Sequence, residues 1–387
     1  MKSIKEVLIG TMQNGQNVLN SISVSQKIGA DFSLDIDSTS RTIEQLHAKK
    51  LELKVVDIFN VTKDSKTIRF ASKTGYLPPF EAGQYINIFV EIDGVRTSRP
   101  YSISSSPRQR AYYEITVARI AKGFVSDYFL DKVKVGDEFE GNGAQGVFHF
   151  NPIFHSKKSV FLAGGSGITP FMSMTREIFE MDLDREIYLI YGVRNDESAM
   201  FKAELEEMAA THKNFHLNFV VSDKAAETNS RRGFIDQVCI KEIVGELFDK
   251  TYYICGPQIM NDFCVKALLD LNVKPKNIRR EMFGARADIQ NEPGFPSNLT
   301  GNEVFKIKVG DKSIDARANE SVLCALERAG IRVNVCCRSG ECSLCKVKLI
   351  SGKVFTARGV LLRHADEVFG YIHSCKAYPI SDIEIML

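Results

Sequence analysis

Four cysteines constrain this chain more than anything else in it. Cys337 opens the run Cys-Arg-Ser-Gly-Glu-Cys342-Ser-Leu-Cys345, and Cys375 lies further along the chain. C-x4-C-x2-C with a distant fourth cysteine is the spacing that wraps three thiolates around one edge of a [2Fe–2S] cluster and brings the fourth from another loop. Soft thiolates select iron–sulfur or zinc over hard cations, so a structural zinc site is the competing reading. Zinc ribbons carry two C-x2-C pairs, whereas one is present here. Glycine and small residues in the first loop leave backbone N–H groups free to face sulfide. Cys337, Cys342, Cys345 and Cys375 are therefore the candidate metal ligands. Cys336, beside a ligand but outside the spacing, reads as a plain buried thiol.

The chain has nine cysteines, an odd number, and Cys239, Cys255, Cys264 and Cys324 are scattered upstream. That is not a secreted disulfide framework. The N-terminal segment has too short an apolar run for a secretory signal, and no stretch approaches the ~18 apolar residues of a membrane span, so a cytoplasmic protein without a membrane span is expected. Length (387 residues) allows two to four domains. Lys plus Arg number 50 against 48 Asp plus Glu, a balance that excludes a dedicated nucleic-acid binder.

Patterning divides the chain. Residues 51–152 carry short β-rich runs (Leu51–Val56, Thr67–Ala71, Gln84–Ile92, Tyr113–Ile120) between Gly and Pro turns, as in an antiparallel barrel. Over 153–286, apolar strand-like runs alternate with helical segments such as Met200–Ala210 and Met260–Leu271, which predicts a doubly wound parallel sheet. Residues 287–301 hold prolines, glycines and asparagines with few apolar residues and read as a linker. Residues 302–387 predict a β-grasp fold: a hairpin about Gly310, a helix over Glu320–Ala329 stopped by Gly330, then the cysteine loop. Residues 1–50 fit neither pattern; near-helical spacing of Ile4, Val7, Leu8, Val18, Leu19 and Ile22 suggests a partly helical extension of unknown role, weakened by Gly10 and Gly15.

Two further motifs carry chemistry. Arg99-Pro100-Tyr101-Ser102 offers a guanidinium fork for phosphate and a tyrosine face for a planar ring, and Gly123-Phe-Val125-Ser126 adds unencumbered N–H and hydroxyl donors. Together they suit a flavin nucleotide; alone, the first is a strand-edge arginine beside a half-buried tyrosine. In the second region, Ala163-Gly164-Gly165-Ser166-Gly167-Ile-Thr169-Pro170 runs from a buried strand into a helix, with Thr169 as expected N-cap and Pro170 in the first helical position. Free N–H groups at such a start, with the helix dipole behind them, favour a bound pyrophosphate, although G-x-G-x-x-G is absent. Cys255-Gly256-Pro257 ends a late strand, where a cysteine is ordinarily a small core residue, and Glu281-Met-Phe283 closes the region.

Residues from about 301 onward resemble a plant-type ferredoxin domain, through the cysteine set, Gly370-Tyr-Ile-His-Ser-Cys375-Lys-Ala-Tyr-Pro and the closing strand Ser381-Asp-Ile-Glu-Ile. Residues 50–285 resemble the ferredoxin–NADP reductase superfamily, and the order flavin, nicotinamide, [2Fe–2S] is similar to that of reductase components of multicomponent oxygenases. The resemblance implies Arg99 on the flavin phosphate, Tyr101 stacked on the isoalloxazine and Ser102 near its N5, with Gly123 and Ser126 on the diphosphate. It implies Gly164, Gly165, Gly167 and Thr169 for the nicotinamide nucleotide, Cys255 beside the nicotinamide ring and Glu281 in the polar set near N5. Phe283 stands where plant enzymes end in tyrosine, but here the chain continues. The implied function is an NAD(P)H-dependent reductase that passes a hydride to flavin and single electrons through [2Fe–2S] to a protein acceptor. FAD is favoured over FMN, which some relatives with this domain order use. NADH is favoured over NADPH because Asp223, after the strand ending Val221-Ser222, would repel a 2′-phosphate, unless Arg194, Arg231 or Arg232 reaches that pocket. Other readings are a free-standing NAD(P)H oxidase or flavin reductase, and a non-catalytic redox-sensing subunit. Residues 301–387 carry thirteen Lys and Arg against ten Asp and Glu. Arg332, Arg338, Lys346 and Lys348 lie in or beside the cysteine loop, so an acidic acceptor surface is expected, with ordinary solvated charges as the plainer alternative.

Overall fold

The computed structural model describes residues 4–27, 36–121, 123–282 and 288–387. The chain divides into two compact units, residues 1–49 and 50–387. The first consists of the helices Ile4–Gly10, Gly15–Lys27 and Ile36–Leu46. The helical pattern breaks between the first two, where Asn14 takes a left-handed φ of 61°.

In the second unit, six antiparallel strands form the first sheet, in lateral order Val95–Ser102, Tyr85–Ile92, Glu138–Gly141, Leu51–Thr62, Ser65–Ser72 and Tyr113–Ala118. Period-2 patterning places it: Leu51, Leu53 and Val55 are buried while Glu52, Lys54 and Val56 face solvent. The second sheet is entirely parallel, in the order Arg231–Arg232, Phe215–Val221, Glu186–Val193, Lys158–Gly164, Thr251–Cys255 and Ile278–Glu281. Ser159–Gly164 and Thr251–Cys255 at its centre are buried because helices cover both faces, which is why they read as continuous apolar runs. Register brings Gly164 beside Gly192, and Cys255 between Ala163 and Glu281, at the carboxyl edge where ligands of open α/β sheets bind. The third sheet orders Lys312–Arg317, Val304–Val309, Ile383–Met386, Lys346–Ser351 and Tyr371–His373. Ile307, Val322, Leu326 and Val347 form its core with the helix Val322–Arg328. That helix is capped by the Ser321 hydroxyl, which accepts from Cys324 N, and it ends before Gly330 at φ 69°.

Two local expectations change. Thr169 is not an N-cap: a 3₁₀ turn over Gly165–Ile168 takes up the strand exit, so Thr169 is already helical and its hydroxyl donates to Ser166 O at 3.0 Å. Pro170 accordingly falls second in the helix Thr169–Glu180. The linker is anchored rather than loose, because Ile289 is fully buried against Ala357 and Tyr378 and Glu292 pairs with Arg358. Among the described residues no helix is long and apolar enough to cross a membrane.

Candidate functional site

Three strand ends meet between the first two sheets. Ser102 ends a strand of the antiparallel sheet, and Cys255 and Glu281 end neighbouring parallel strands. All three are buried. Ser102 Oγ donates to Glu281 Oε2 at 3.4 Å, and Cys255 Sγ lies 4.0 Å from the same oxygen. Burial, together with the negative charge of Glu341, raises the Glu281 carboxyl well above the usual carboxylate range, against the opposing bond from Ser102. Burial and then Glu281 push the Cys255 thiol up, so it stays protonated. Asn261 ties the Cys-Gly-Pro turn in place, donating to Gly256 O at 2.9 Å and Glu281 O at 3.4 Å.

Arg99, Pro100, Tyr101 and Ser102 line a cavity of about 390 Å³, together with Gly123, Val125 and Ser126 from the start of the helix Phe124–Asp131. A Cβ on Gly123 would fall 2.1 Å from Ser126 Oγ, so only glycine lets that hydroxyl sit there. Tyr101 packs edge-on to Phe129, which fixes its ring. The same cavity is lined by Leu323, Cys324 and Cys375 of the C-terminal region.

A second cavity, about 940 Å³, is lined by Gly164, Gly165, Pro257, Asp223 and Arg194. Ser166 and Ala118 border both cavities, which therefore share a wall. Gly165 is held by Tyr191, whose hydroxyl donates to its carbonyl at 2.9 Å. Gly167 does not line this cavity; a Cβ there would fall 2.1 Å from Cys255 O, so it serves close packing of turn against strand. Thr169 lines the smaller cavity instead, and Pro170 is buried in its helix. Asp223 Oδ1 accepts from Ala225 N at 2.9 Å, an Asx turn that presents it at the cavity. Arg231 pairs with Glu242 and Arg232 donates to Lys224 O, leaving Arg194 as the cavity arginine of the three weighed from sequence. Phe283 lies outside the described residues.

The four cysteines come together as two pairs. Cys342 hydrogen-bonds Cys337 and holds it down as a thiolate against its burial, with Ser339 N and Cys342 N each 3.4 Å from its sulfur. Cys375 does the same for Cys345. Among the described residues no three His, Cys, Asp or Glu side chains form a group able to hold one ion. Two cysteine pairs instead suit two irons taking two cysteines each, and the amides facing sulfur suit the cluster's negative charge, so the donor set fits [2Fe–2S]. Cys336 is the buried thiol expected, 4.0 Å from the Tyr85 hydroxyl.

One expectation fails here. Arg338 is not a solvated docking charge but is only 6 % exposed, paired with Glu327 and donating to Thr97 Oγ1 of the antiparallel sheet at 3.0 Å. Lys346 is likewise engaged, with Asp366 at 2.8 Å and over the Tyr371 ring. Sequence reasoning also missed Glu341, which carries its charge from the cysteine loop to Glu281, and Cys324, Met260 and Asn261. Glu341 alone had a signal, its place inside the ligand spacing.

Residues 52–150 match the model of the oxidoreductase FAD-binding domain, 161–266 that of the oxidoreductase NAD-binding domain, and 306–379 that of the 2Fe-2S iron-sulfur cluster binding domain. The chain is an NAD(P)H-dependent flavin and [2Fe–2S] oxidoreductase. This reductase is 29 % identical over 347 residues to the glycine betaine monooxygenase reductase subunit of Chromohalobacter salexigens, covering 86 % of this chain and 94 % of that one. It is 29 % identical over 349 residues to a 1,2-phenylacetyl-CoA epoxidase subunit of Escherichia coli, covering 86 % and 96 %. Phthalate dioxygenase reductase superposes with a TM-score of 0.65 at 26 % identity, over 87 % of this chain and 97 % of that one. The three-domain fold is thus shared with phthalate dioxygenase reductase along nearly the whole length of that chain.

Proposed function

We propose that this reductase takes electrons pairwise from NADH and delivers them singly, through its [2Fe–2S] centre, to an oxygenase component. The observation that carries the reading is the lining of the smaller cavity. Cys375, a cluster ligand, borders the same space as Arg99, Tyr101 and Ser102, and Ser166 joins that space to the larger cavity. The flavin, when bound, supplies the conversion between two-electron and one-electron transfer.

The chain's own residues orient and insulate. Arg99 would hold the flavin phosphate, Tyr101 would give the ring a face, and Gly123, Val125 and Ser126 would offer donors to a diphosphate, which favours FAD over FMN. Gly164 and Gly165, with Pro170 and Gly167 fixing the helix start, would receive the nicotinamide nucleotide, while Thr169 faces the flavin cavity. Gly256 and Pro257 carry the turn that sets Cys255 beside the nicotinamide ring. Ser102, Cys255 and Glu281 form a buried set in which burial favours the protonated forms of Cys255 and Glu281, with the Ser102 hydroxyl hydrogen-bonded to the Glu281 carboxyl. Three oxygenase-system proteins among the relatives favour an oxygenase as acceptor. Exposed Arg332 and partly exposed Lys348 favour an acidic face on it. The cysteine usage fits a reducing, cytoplasmic setting.

The test is NADH-driven reduction of cytochrome c by wild type and by Cys337→Ser and Cys375→Ser. Both variants are expected to lose most of it while NADH still bleaches the flavin at the wild-type rate. Full cytochrome c activity in cluster-free protein would place the electron exit elsewhere.

A further inference from the structure

Buried ions are ordinarily matched in charge, and one place in this reductase is not. Thr97 Oγ1 accepts from Arg99 Nη1 at 2.9 Å and from Arg338 Nη2 at 3.0 Å, and it donates to Glu327 Oε2 at 3.0 Å. Arg338 also pairs with Glu327 Oε1. Half-buried Arg99 and buried Arg338 therefore meet at one hydroxyl beside a single carboxylate, leaving one positive charge in excess. Burial lowers the pKa of Arg99, and the charge of Arg338 acts in the same direction. Arg99 otherwise donates to Ser98 O at 2.7 Å, and among the described residues nothing accepts from its Nε or Nη2. Arg338 Nε is buried and has no acceptor either. Both arginines line the cavity of Tyr101 and Ser126.

We propose that Arg338, from the cysteine loop, is a second phosphate ligand of the flavin nucleotide, so that the cluster domain completes the flavin site. This rests on the flavin reading above. An anion in the cavity would neutralise the surplus charge and accept from the idle donors of two planar forks, the geometry arginine offers to phosphate. Arg338 holds a left-handed φ of 53°, unusual outside glycine, and Thr97 and Glu327 then fix its guanidinium from opposite domains. A loop selected only to wrap a cluster has no need of a buried cation reaching the neighbouring domain.

The experiment measures dissociation constants of FAD, FMN and riboflavin for the full-length protein, with iron and sulfide content matched to wild type. Arg338→Gln is expected to weaken FAD and FMN about tenfold or more, the size of a charge-assisted bond, while riboflavin, which has no phosphate, changes less than about twofold. Glu327→Gln, which removes the carboxylate competing with phosphate, is expected to leave the two nucleotides bound as tightly as in wild type or more tightly. If Arg338→Gln does not load its cluster, Arg338→Lys, which keeps charge without the fork, gives a smaller loss confined to the nucleotides. Equal weakening of all three flavins by Arg338→Gln and Glu327→Gln marks a simple domain clasp and overturns the proposal, as does unchanged nucleotide affinity. Wild-type protein that binds no flavin overturns the functional reading itself.

Discussion

At the scale of single residues, Glu281 is the group whose ionisation matters most. Burial raises the folded pKa of its carboxyl well above the unfolded one. The stability it contributes is complete below the unfolded value, near 4.3, and is lost as pH rises toward the folded value. Glu281→Gln is permanently neutral and escapes that loss. Its melting temperature relative to wild type should therefore climb between pH 5 and pH 9, and a difference that stays constant across thermal melts in that range would refute the assignment. Asp223 bears on coenzyme choice: wild type should show the higher kcat/KM with NADH, and Asp223→Arg should move the ratio toward NADPH by about tenfold, as expected when one charged contact to phosphate replaces a repulsion. No shift in that ratio would show that Arg194 governs the pocket. Arg338 shows where single residues were not legible. Sequence places a cation next to Cys337, but whether it faces water or a neighbouring domain depends on Thr97, which lies 241 residues away in the chain.

Secondary-structure elements were more legible because periodicity reports burial directly. Runs such as Val160–Ala163 and Tyr252–Cys255 had to be covered on both faces, and they are. What periodicity leaves open is how an element starts. Thr169 and Pro170 have the right types for a cap and first position, yet the 3₁₀ turn shifts the register by one. The glycines of that turn separate by what they touch. A Cβ on Gly164 would meet the Met260 thioether, a flexible group that can move aside, whereas one on Gly167 would meet the Cys255 backbone carbonyl. Gly167→Ala should accordingly cost about 1–3 kcal/mol of stability and raise the KM for NADH, while Gly164→Ala should cost less. Denaturant unfolding of the two variants side by side decides this, and equal losses would mean that the turn relaxes as a whole.

For the whole molecule, the arrangement separates two electron transfers that salt should distinguish. The flavin-to-cluster step crosses an interface made within the chain, where Asn87 donates to Val335 O at 3.2 Å and Arg338 and Glu327 are almost wholly buried. Salt screens exposed charges over about 10 Å at 0.1 M but reaches buried pairs far less. Delivery to an acceptor depends on encounter, and of the four cations in or beside the cysteine loop Arg338 is buried and Lys346 is paired with Asp366, which leaves exposed Arg332 and partly exposed Lys348. Opposite charge on a partner raises the encounter rate and makes it fall with ionic strength. Raising the salt should therefore slow electron delivery to the acceptor, while stopped-flow reduction of the flavin and its reoxidation by the cluster keep their rates. Arg332→Glu with Lys348→Glu should lower delivery at low salt and flatten its salt dependence. A delivery rate that ignores ionic strength in wild type would mean that the partner is held by apolar contact instead, with exposed Leu344 in the cysteine loop as the first surface to substitute.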